Sequence, residues 1–481
     1  MQSIIEKIEQ FNELDWEFYF GEADKKITQA AAPSSVATLI VWAADEAGFP
    51  CLTFGGNIYL YNGKNYEKGS LRDLVYSGLK RVGFPLAFVN DSEFIKKVEK
   101  NIQVASKTHQ DSIEMNPRGL NFLDGSLMIT RKGVEFVAHS PKRVFTYALP
   151  FMYKGERKKS KVWTKFIEQI IPEEEYRTYT LASLANALAG DPLYAQRMLL
   201  LMGVGASGKS TLIDAVSAAI GKGNVCNVDD LKNVTKDDSR FRIDLANHIL
   251  CVCGDASGNI GNKDVLKQII SKEELAGRRL YKEVEYFTPR ASLIVASNEI
   301  GFTHTLSDSG ISRRLDIIEF REAIAEADRD PHIGEKLAAP NEMREMILDM
   351  VGALIVMQNE NDGKMVRPSQ LTKTLDKLRK EGDSFLSWLH EAGLQPTDAV
   401  GVGTIWLLQK EMRDMFNQYR IDNGNGSIST GKAKQKARDH GCLEEKGRMN
   451  QEKYCFKVVD SEAYDAMYHK VIYDSSTGPI P

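Results

Sequence analysis

The sequence has no run of ~18 uninterrupted apolar residues, the length a helix needs to cross a bilayer, so no membrane span is expected. Its six cysteines stand at positions 51, 226, 251, 253, 442 and 455, and no pair has the C-x₂-C spacing of a zinc site. Cys251 and Cys253 sit inside an apolar run, as small core residues of a reducing compartment do. There is no excess of positive charge either. Lys and Arg total 62 against 66 Asp and Glu, a formal net charge of −4. That balance excludes a chain coated in cations and confines any nucleic-acid site to a local patch. No internal repeat and no long low-complexity segment is present. The opening "MQSIIEKIEQFNELDWEF" is acidic and amphipathic, unlike a signal peptide, so a cytoplasmic protein is expected.

What is there is ordinary globular composition, 42% hydrophobic and 27% charged, over 481 residues. Single cores stop growing near ~250–300 residues, so the length predicts two to four domains. Residues 1–150 mix short strands and helices in an α+β pattern, with hairpin turns at Asn62-Gly63, Asp124-Gly125 and Lys132-Gly133. The basic run "KGERKKSK" marks a boundary and reads as a solvated linker. Residues 151–192 read as a helical collar, and 193–330 alternate strand and helix as a parallel α/β sheet does. Residues 331–380 read as helical, 381–460 as three helices and a hairpin, and 461–481 as a tail.

The chemistry is concentrated at "GVGASGKST". Gly203-x₄-Gly208-Lys209-Ser210 matches the phosphate-loop pattern. Its glycines let the backbone N–H groups of Gly203, Val204, Gly205, Ala206, Ser207 and Gly208 turn inward around phosphate oxygens. Lys209 adds a point charge, Ser210 can ligate Mg²⁺, and Thr211 continues the helix that points its positive end at the phosphates. A glycine turn joining strand to helix is the bland alternative, but the apolar strand before and the amphipathic helix after favour a nucleotide site. The apolar strand "NHILCVCGDASG" ends at Asp255, the place for a second metal-side carboxylate. "ASLIVASNEIG" ends at Asn298, whose amide could orient a water or merely cap a turn. "SGISRRLDIIEF" puts Arg313 and Arg314 before a final strand. That pair suits an arginine finger, or a solvated basic turn.

On "GVGASGKST", "RFRIDLANHILCVCGDASG", "LAGRRLYKEVEYFTPRASLIVASN" and "GISRRLDIIEF" the chain resembles the superfamily 3 helicases. It is most similar to the phage and plasmid primase-helicases related to the poxvirus primase-helicase. The resemblance covers about 203–320 in detail. The layout of the preceding domain, with "LNFLDG" and "HSPKRVFTYALPFMY", is similar to the family's N-terminal domain. The C-terminal segment fits its winged-helix end loosely. The resemblance implies an AAA+-like parallel-sheet core, ATP and Mg²⁺ as cofactors, a homo-oligomeric ring of six subunits, and 3′-to-5′ translocation on single-stranded or forked DNA inside a bacterial host. A separate primase or other replication protein would be a partner. It favours Arg314 over Arg313 as the finger. One departure concerns the second motif. The family carries two acids there, whereas this chain has Gly254 and Asp255, so the base is Asp255 itself or an approaching Glu273 or Glu274.

In the family a hairpin reaches into the ring channel. The matching stretch "ELAGRRLYKEVEYF" is expected to turn at Gly277 and to present Arg278, Arg279, Tyr281 and Lys282 to DNA. A basic helix with Lys432, Lys434, Lys436 and Arg438, followed by a hairpin, has the layout of a DNA-reading winged helix and equally of a protein-docking wing. Residues 1–150 hold no D-x-D pair with a following histidine motif, so primer synthesis is not expected. The competing functions are an origin-melting initiator, a small-molecule kinase and a non-catalytic binding module.

Overall fold

The structure is a computed structural model. It describes residues 32–54, 57–68, 91–106, 117–157, 160–191, 195–236, 241–254, 260–278, 284–298, 308–382, 384–423, 427–446 and 451–473. The chain divides into two compact units: 1–300 with 314–371, and 301–313 with 372–481.

The first unit begins with α1 (Ala32–Glu46), the meander β1 (Cys51–Phe54), β2 (Asn57–Tyr61) and β3 (Tyr66–Lys68), and α2 (Ser92–Ala105). α1 and α2 bury Val36, Ile40, Phe94 and Val98 against one another. Asn62 makes the β2–β3 turn, as expected. Its Oδ1 accepts from the backbone N–H groups of Lys64 and Asn65, both at 2.9 Å. A second meander, β4 (Gly119–Phe122), β5 (Gly125–Thr130) and β6 (Gly133–Val137), turns where the two glycine signals place it. Next come α3 (Lys161–Ile170) and α4 (Glu174–Leu188).

Five strands then form one parallel sheet. These are β7 (Met198–Gly203), β8 (Val225–Val228), β9 (Leu250–Cys253), β12 (Ser292–Ser297) and β13 (Leu315–Phe320), in the order β13-β7-β12-β9-β8. The helix α5 (Lys209–Ile220) follows β7. Before β12 come α6 (Lys263–Ser271) and an antiparallel pair, β10 (Leu275–Arg278) with β11 (Val284–Phe287). Continuous apolar runs such as Met198–Met202 are buried throughout, as strands covered on both faces must be.

Every residue of α4 from Tyr179 to Leu188 is buried, because the sheet lies on one side and α8 (Pro340–Glu360) on the other; the short α7 (Ile333–Leu337) precedes α8. α4 also closes the outer edge of β13. The Tyr176 hydroxyl donates to Ile317 O at 3.1 Å and accepts from Glu319 N at 2.6 Å. Arg367 donates to Leu315 O at 2.9 Å and to the buried Asp316 carboxylate at 2.8 Å.

The basic run before α3 departs from the expectation of a solvated linker. Glu342, Glu345 and Asp349 recur along one face of α8 and receive Arg157 and Ser160 from it. Arg157 pairs with Glu345 and Asp349, Ser160 donates to Glu342, and the indole N–H of the buried Trp163 donates to Asp349 at 2.8 Å. Asp349→Ala should therefore strand the indole N–H of the buried Trp163, while Arg157 keeps its pairing with Glu345. The expected cost is about 1–3 kcal/mol, read as a drop of several degrees in the thermal melt, while Asp349→Asn should keep most of the stability.

The second unit contains the end of α9 (Ser369–Gly382), then α10 (Ser384–Glu391), β14 (Leu394–Pro396), β15 (Thr404–Leu408), α11 (Gln409–Asp422), α12 (Thr430–Asp439), β16 (Glu444–Lys446), β17 (Glu452–Val458) and α13 (Ser461–Tyr468). The four strands share one antiparallel sheet, in which β17 pairs with each of the others. β14 and β15 are absent from the sequence expectation of three helices and a hairpin. The expected tail is also corrected through Tyr473. α13 and the turn after it are helical, and Tyr464, Met467, Val471 and Ile472 pack onto the core of Phe385, Trp388 and Phe416. Residues 474–481 lie outside the described residues.

No helix among the described residues is long and apolar enough to cross a membrane.

Candidate functional site: a phosphate-type loop at the end of β7

β7 delivers the loop 203–208 to the C-terminal edge of the sheet, and α5 starts at Lys209. Three residues of the loop have left-handed φ: Gly203 at +148°, Ala206 at +57° and Gly208 at +93°. Glycine is required at both ends by space as well. A Cβ at Gly203 would lie 2.0 Å from Phe320 O, and one at Gly208 would lie 2.5 Å from the Ile170 side chain. A Cβ at Gly205 would meet nothing within 4 Å, so that side of the loop is open.

Lys209 is buried, and its ammonium donates to Gly203 O at 2.8 Å, Val204 O at 2.7 Å and Ser207 Oγ at 3.1 Å. The charge thus stands inside the loop that the sequence pattern assigns to it. Ser210 is exposed beside it, and Thr211 is half-buried.

A cavity of about 600 Å³ borders the loop at Ala206, Gly208 and Thr211. Val162, Phe166 and Ile324 supply apolar walls; Lys161, Lys165, Arg329 and Lys336 stand around them with Asp328 and Asp330, and Lys336 is paired with Asp330. Ile324 N donates to Ala206 O at 3.0 Å and so ties the segment after β13 to the loop. Sequence reasoning missed this cavity. Its walls come from residues about 40 before and 120 after the loop, and no spacing rule links them.

The flanking strands place the remaining motif residues as follows. Gly254 follows β9 and is exposed, and a Cβ there would meet nothing within 4 Å, so space does not demand glycine at the second-motif position. Asp255 lies outside the described residues. Asn298 is exposed at the C-terminal end of β12, the strand beside β7. Glu273 and Glu274 are exposed before β10. Arg313 and Arg314 stand just before β13, at the opposite edge of the sheet. Arg314 O accepts from Met198 N at 2.8 Å. The expected preference for Arg314 as a reaching side chain is corrected. Arg314 is buried, with its Nε donating to Ser271 Oγ at 3.0 Å, whereas Arg313 is exposed.

The β10–β11 hairpin also differs from expectation. Gly277 is not in the turn but pairs with Glu285 inside the ladder, and a Cβ there would come within 2.7 Å of the Phe287 ring. Glycine serves a close ring contact at that position. Arg278, the last paired residue, is exposed; Arg279, Tyr281 and Lys282 lie outside the described residues. On α12, Lys432 is exposed and Lys436 half-buried. Lys434 pairs with Glu452, and Arg438 makes two bonds to Glu444 at 2.7 and 2.8 Å. Two of the four cations are therefore partly neutralised by the adjacent strands.

No disulfide joins the six cysteines, and five of them are buried. Cys226 is the half-buried one. Hydrogen bonds with Cys251 and His248 hold its thiol below the usual range, while the same pairing and burial push Cys251 up.

Residues 201–314 match a family described as of unknown function (DUF5906), and residues 63–172 match one described as "D5 N terminal like". No curated protein matches the chain. Solved structures similar to it include an A-form apo structure of the NrS-1 C-terminal region. That chain is 13% identical with a TM-score of 0.46, over 87% of this chain and 98% of that one. An apo structure of NrS-1 residues 305–718 is 12% identical with a TM-score of 0.34, over 70% of this chain and 95% of that one.

Proposed function

We propose that this protein is an ATP-dependent, ring-forming DNA helicase acting in the replication of a phage or other mobile element. The observation that carries the proposal is the loop 203–208 closing around the Lys209 ammonium at the C-terminal edge of a parallel sheet, with an apolar-walled cavity beside it. The match of 63–172 to the "D5 N terminal like" family, next to such a loop, supports a replication primase-helicase over other nucleotide-binding proteins.

In this reading, 193–330 is an AAA+-like ATPase core, 1–150 an accessory α+β domain, 151–192 a collar and 381–460 a winged-helix-like module. The donor set fits a nucleoside triphosphate with Mg²⁺, and the cavity of Val162, Phe166 and Ile324 fits its base. Bound Mg²⁺ would neutralise phosphate charge, held by Ser210 and Asp255. Lys209 must leave its carbonyl partners to meet the phosphates, and Asn298 orients the attacking water. Asp255 takes the proton, since Glu273 and Glu274 follow Lys272, which bonds to the residues just before β12 at the opposite edge of the sheet. An exposed Arg313 from the neighbouring subunit steadies the developing charge.

The test is ATP hydrolysis with and without single-stranded DNA, together with strand displacement on a forked duplex. Stimulation and displacement are expected. Hydrolysis indifferent to DNA would point to a small-molecule kinase, and melting without displacement to an initiator.

The DNA grip is proposed to lie on 278–283 and, on α12, at Lys432 and Lys436. Arg279→Ala with Lys282→Ala should weaken single-stranded DNA binding, lower the slope of log affinity against log salt by about 1–1.5, and abolish unwinding. Equal slopes for wild type and double variant would move the grip elsewhere.

A further inference from the structure

A second cavity lies at the N-terminal edge of the parallel sheet, a strand length from the phosphate loop, roughly 17 Å. Its volume is about 810 Å³, within the range of small-ligand sites. β4 and β5, the C-terminal end of α4, Ile249 before β9, and 288–290 before β12 line it. Five of the lining residues are cations, Arg118, Arg131, Lys132, Lys272 and Arg290, and none of the described lining residues is acidic. In a protein of net charge −4 this is a marked local concentration.

The carboxylate that bears on Arg118 and Lys272 is Asp191. It accepts from Asn186 Nδ2, Ala195 N and Gln196 N at 2.6–3.1 Å, so it is held in its own turn. The Lys272 ammonium donates to the carbonyls of Arg290 and Ala291, both at 2.6 Å. Burial pulls Lys272 down to about 7 and Arg290 down to about 10. Lys272, Arg290 and Arg118 are half-buried and Arg131 and Lys132 exposed at the rim, so three of the five cations are partly desolvated, a cost that an incoming anion would offset. The rest of the lining, including Met128, Ile129, Leu188 and Pro289, is apolar.

We propose that this cavity binds a nucleotide, free or as part of a strand, with Arg118, Arg131, Lys132 and Arg290 facing its phosphate and the apolar floor receiving sugar and base. The site requires no hydrolysis and stands apart from the ATPase reading. It is tested in protein carrying Lys209→Ala, so that the phosphate loop contributes little.

Fluorescence anisotropy is measured over a salt series with two probes, a fluorescein-labelled dT12 and the 2′/3′-methylanthraniloyl ester of dATP or ATP. The same titrations are run after adding Arg131→Glu and Lys132→Glu, two exposed residues at the β5–β6 turn. Charge reversal should weaken at least one probe tenfold or more and flatten its salt dependence. Loss for the oligonucleotide alone identifies a strand, and loss for the mononucleotide alone a free ligand. Should charge reversal impair folding, Arg131→Gln with Lys132→Gln should still weaken binding threefold or more. Neither probe binding, or both binding the altered proteins as tightly as their parent, overturns the proposal.

Discussion

Lys209→Ala protein should fold normally and fail to hydrolyse ATP. Its ammonium donates to oxygens of the loop itself, Gly203 O, Val204 O and Ser207 Oγ. Removing it deletes the charge inside the loop while the geometry set by Gly203 and Gly208 remains. Steady-state turnover should drop by at least ~10²–10³-fold, the scale of losing one preorganised charge on a developing anion. The melt should stay within a few degrees of wild type. Normal turnover would show that the nucleotide is hydrolysed elsewhere.

Arg313→Ala should bind ATP as wild type does and lose ~10³-fold or more in hydrolysis, the magnitude of an arginine finger supplied in trans. In the proposed reading a neighbouring subunit supplies it, because the sheet holds the arginines and the loop of one chain apart. β13 runs parallel to β7 in the register Leu315 with Met198 through Phe320 with Gly203. The arginines precede one end of that ladder and the phosphate loop follows the other. Five residue steps at ~3.3 Å separate the ends by roughly 17 Å, beyond the reach of one side chain. Mixing Arg313→Ala with Lys209→Ala protein should restore activity, since each supplies what the other lacks. No rescue at any ratio would remove the shared site. Arg314→Ala should behave differently. It empties a buried position bonded to Ser271 and should lower stability more than catalysis.

The parts legible in the sequence are those whose chemistry is local. The phosphate-type loop is written in Gly203 and Gly208, which have left-handed φ and lack room for a Cβ. The early hairpins are written in Asn62-Gly63 and Asp124-Gly125, and the parallel sheet in unbroken apolar runs. The parts that were not legible depend on distant partners. Arg157 resembles a linker cation until α8 brings Glu345 and Asp349 to it from about 190 residues away. Gly277 resembles a turn glycine until Phe287 crosses it. Arg313 and Arg314 are identical letters, and only the fold buries one and exposes the other. β14 spans three residues and ends in Pro396, too short for an alternating pattern to show.

The Tyr176 hydroxyl on the outer margin of β13 has a consequence for how copies of this chain can meet. β13 is the last strand of the sheet on its side, so its outward backbone groups are a template for strand addition and for aggregation. Tyr176 occupies Ile317 O and Glu319 N, and Arg367 occupies Leu315 O. A phenol and a guanidinium thus replace the missing strand. A neighbouring copy could extend the sheet there only by first evicting both, so association in a crowded cell is steered toward side-chain interfaces and away from open-ended β-stacking.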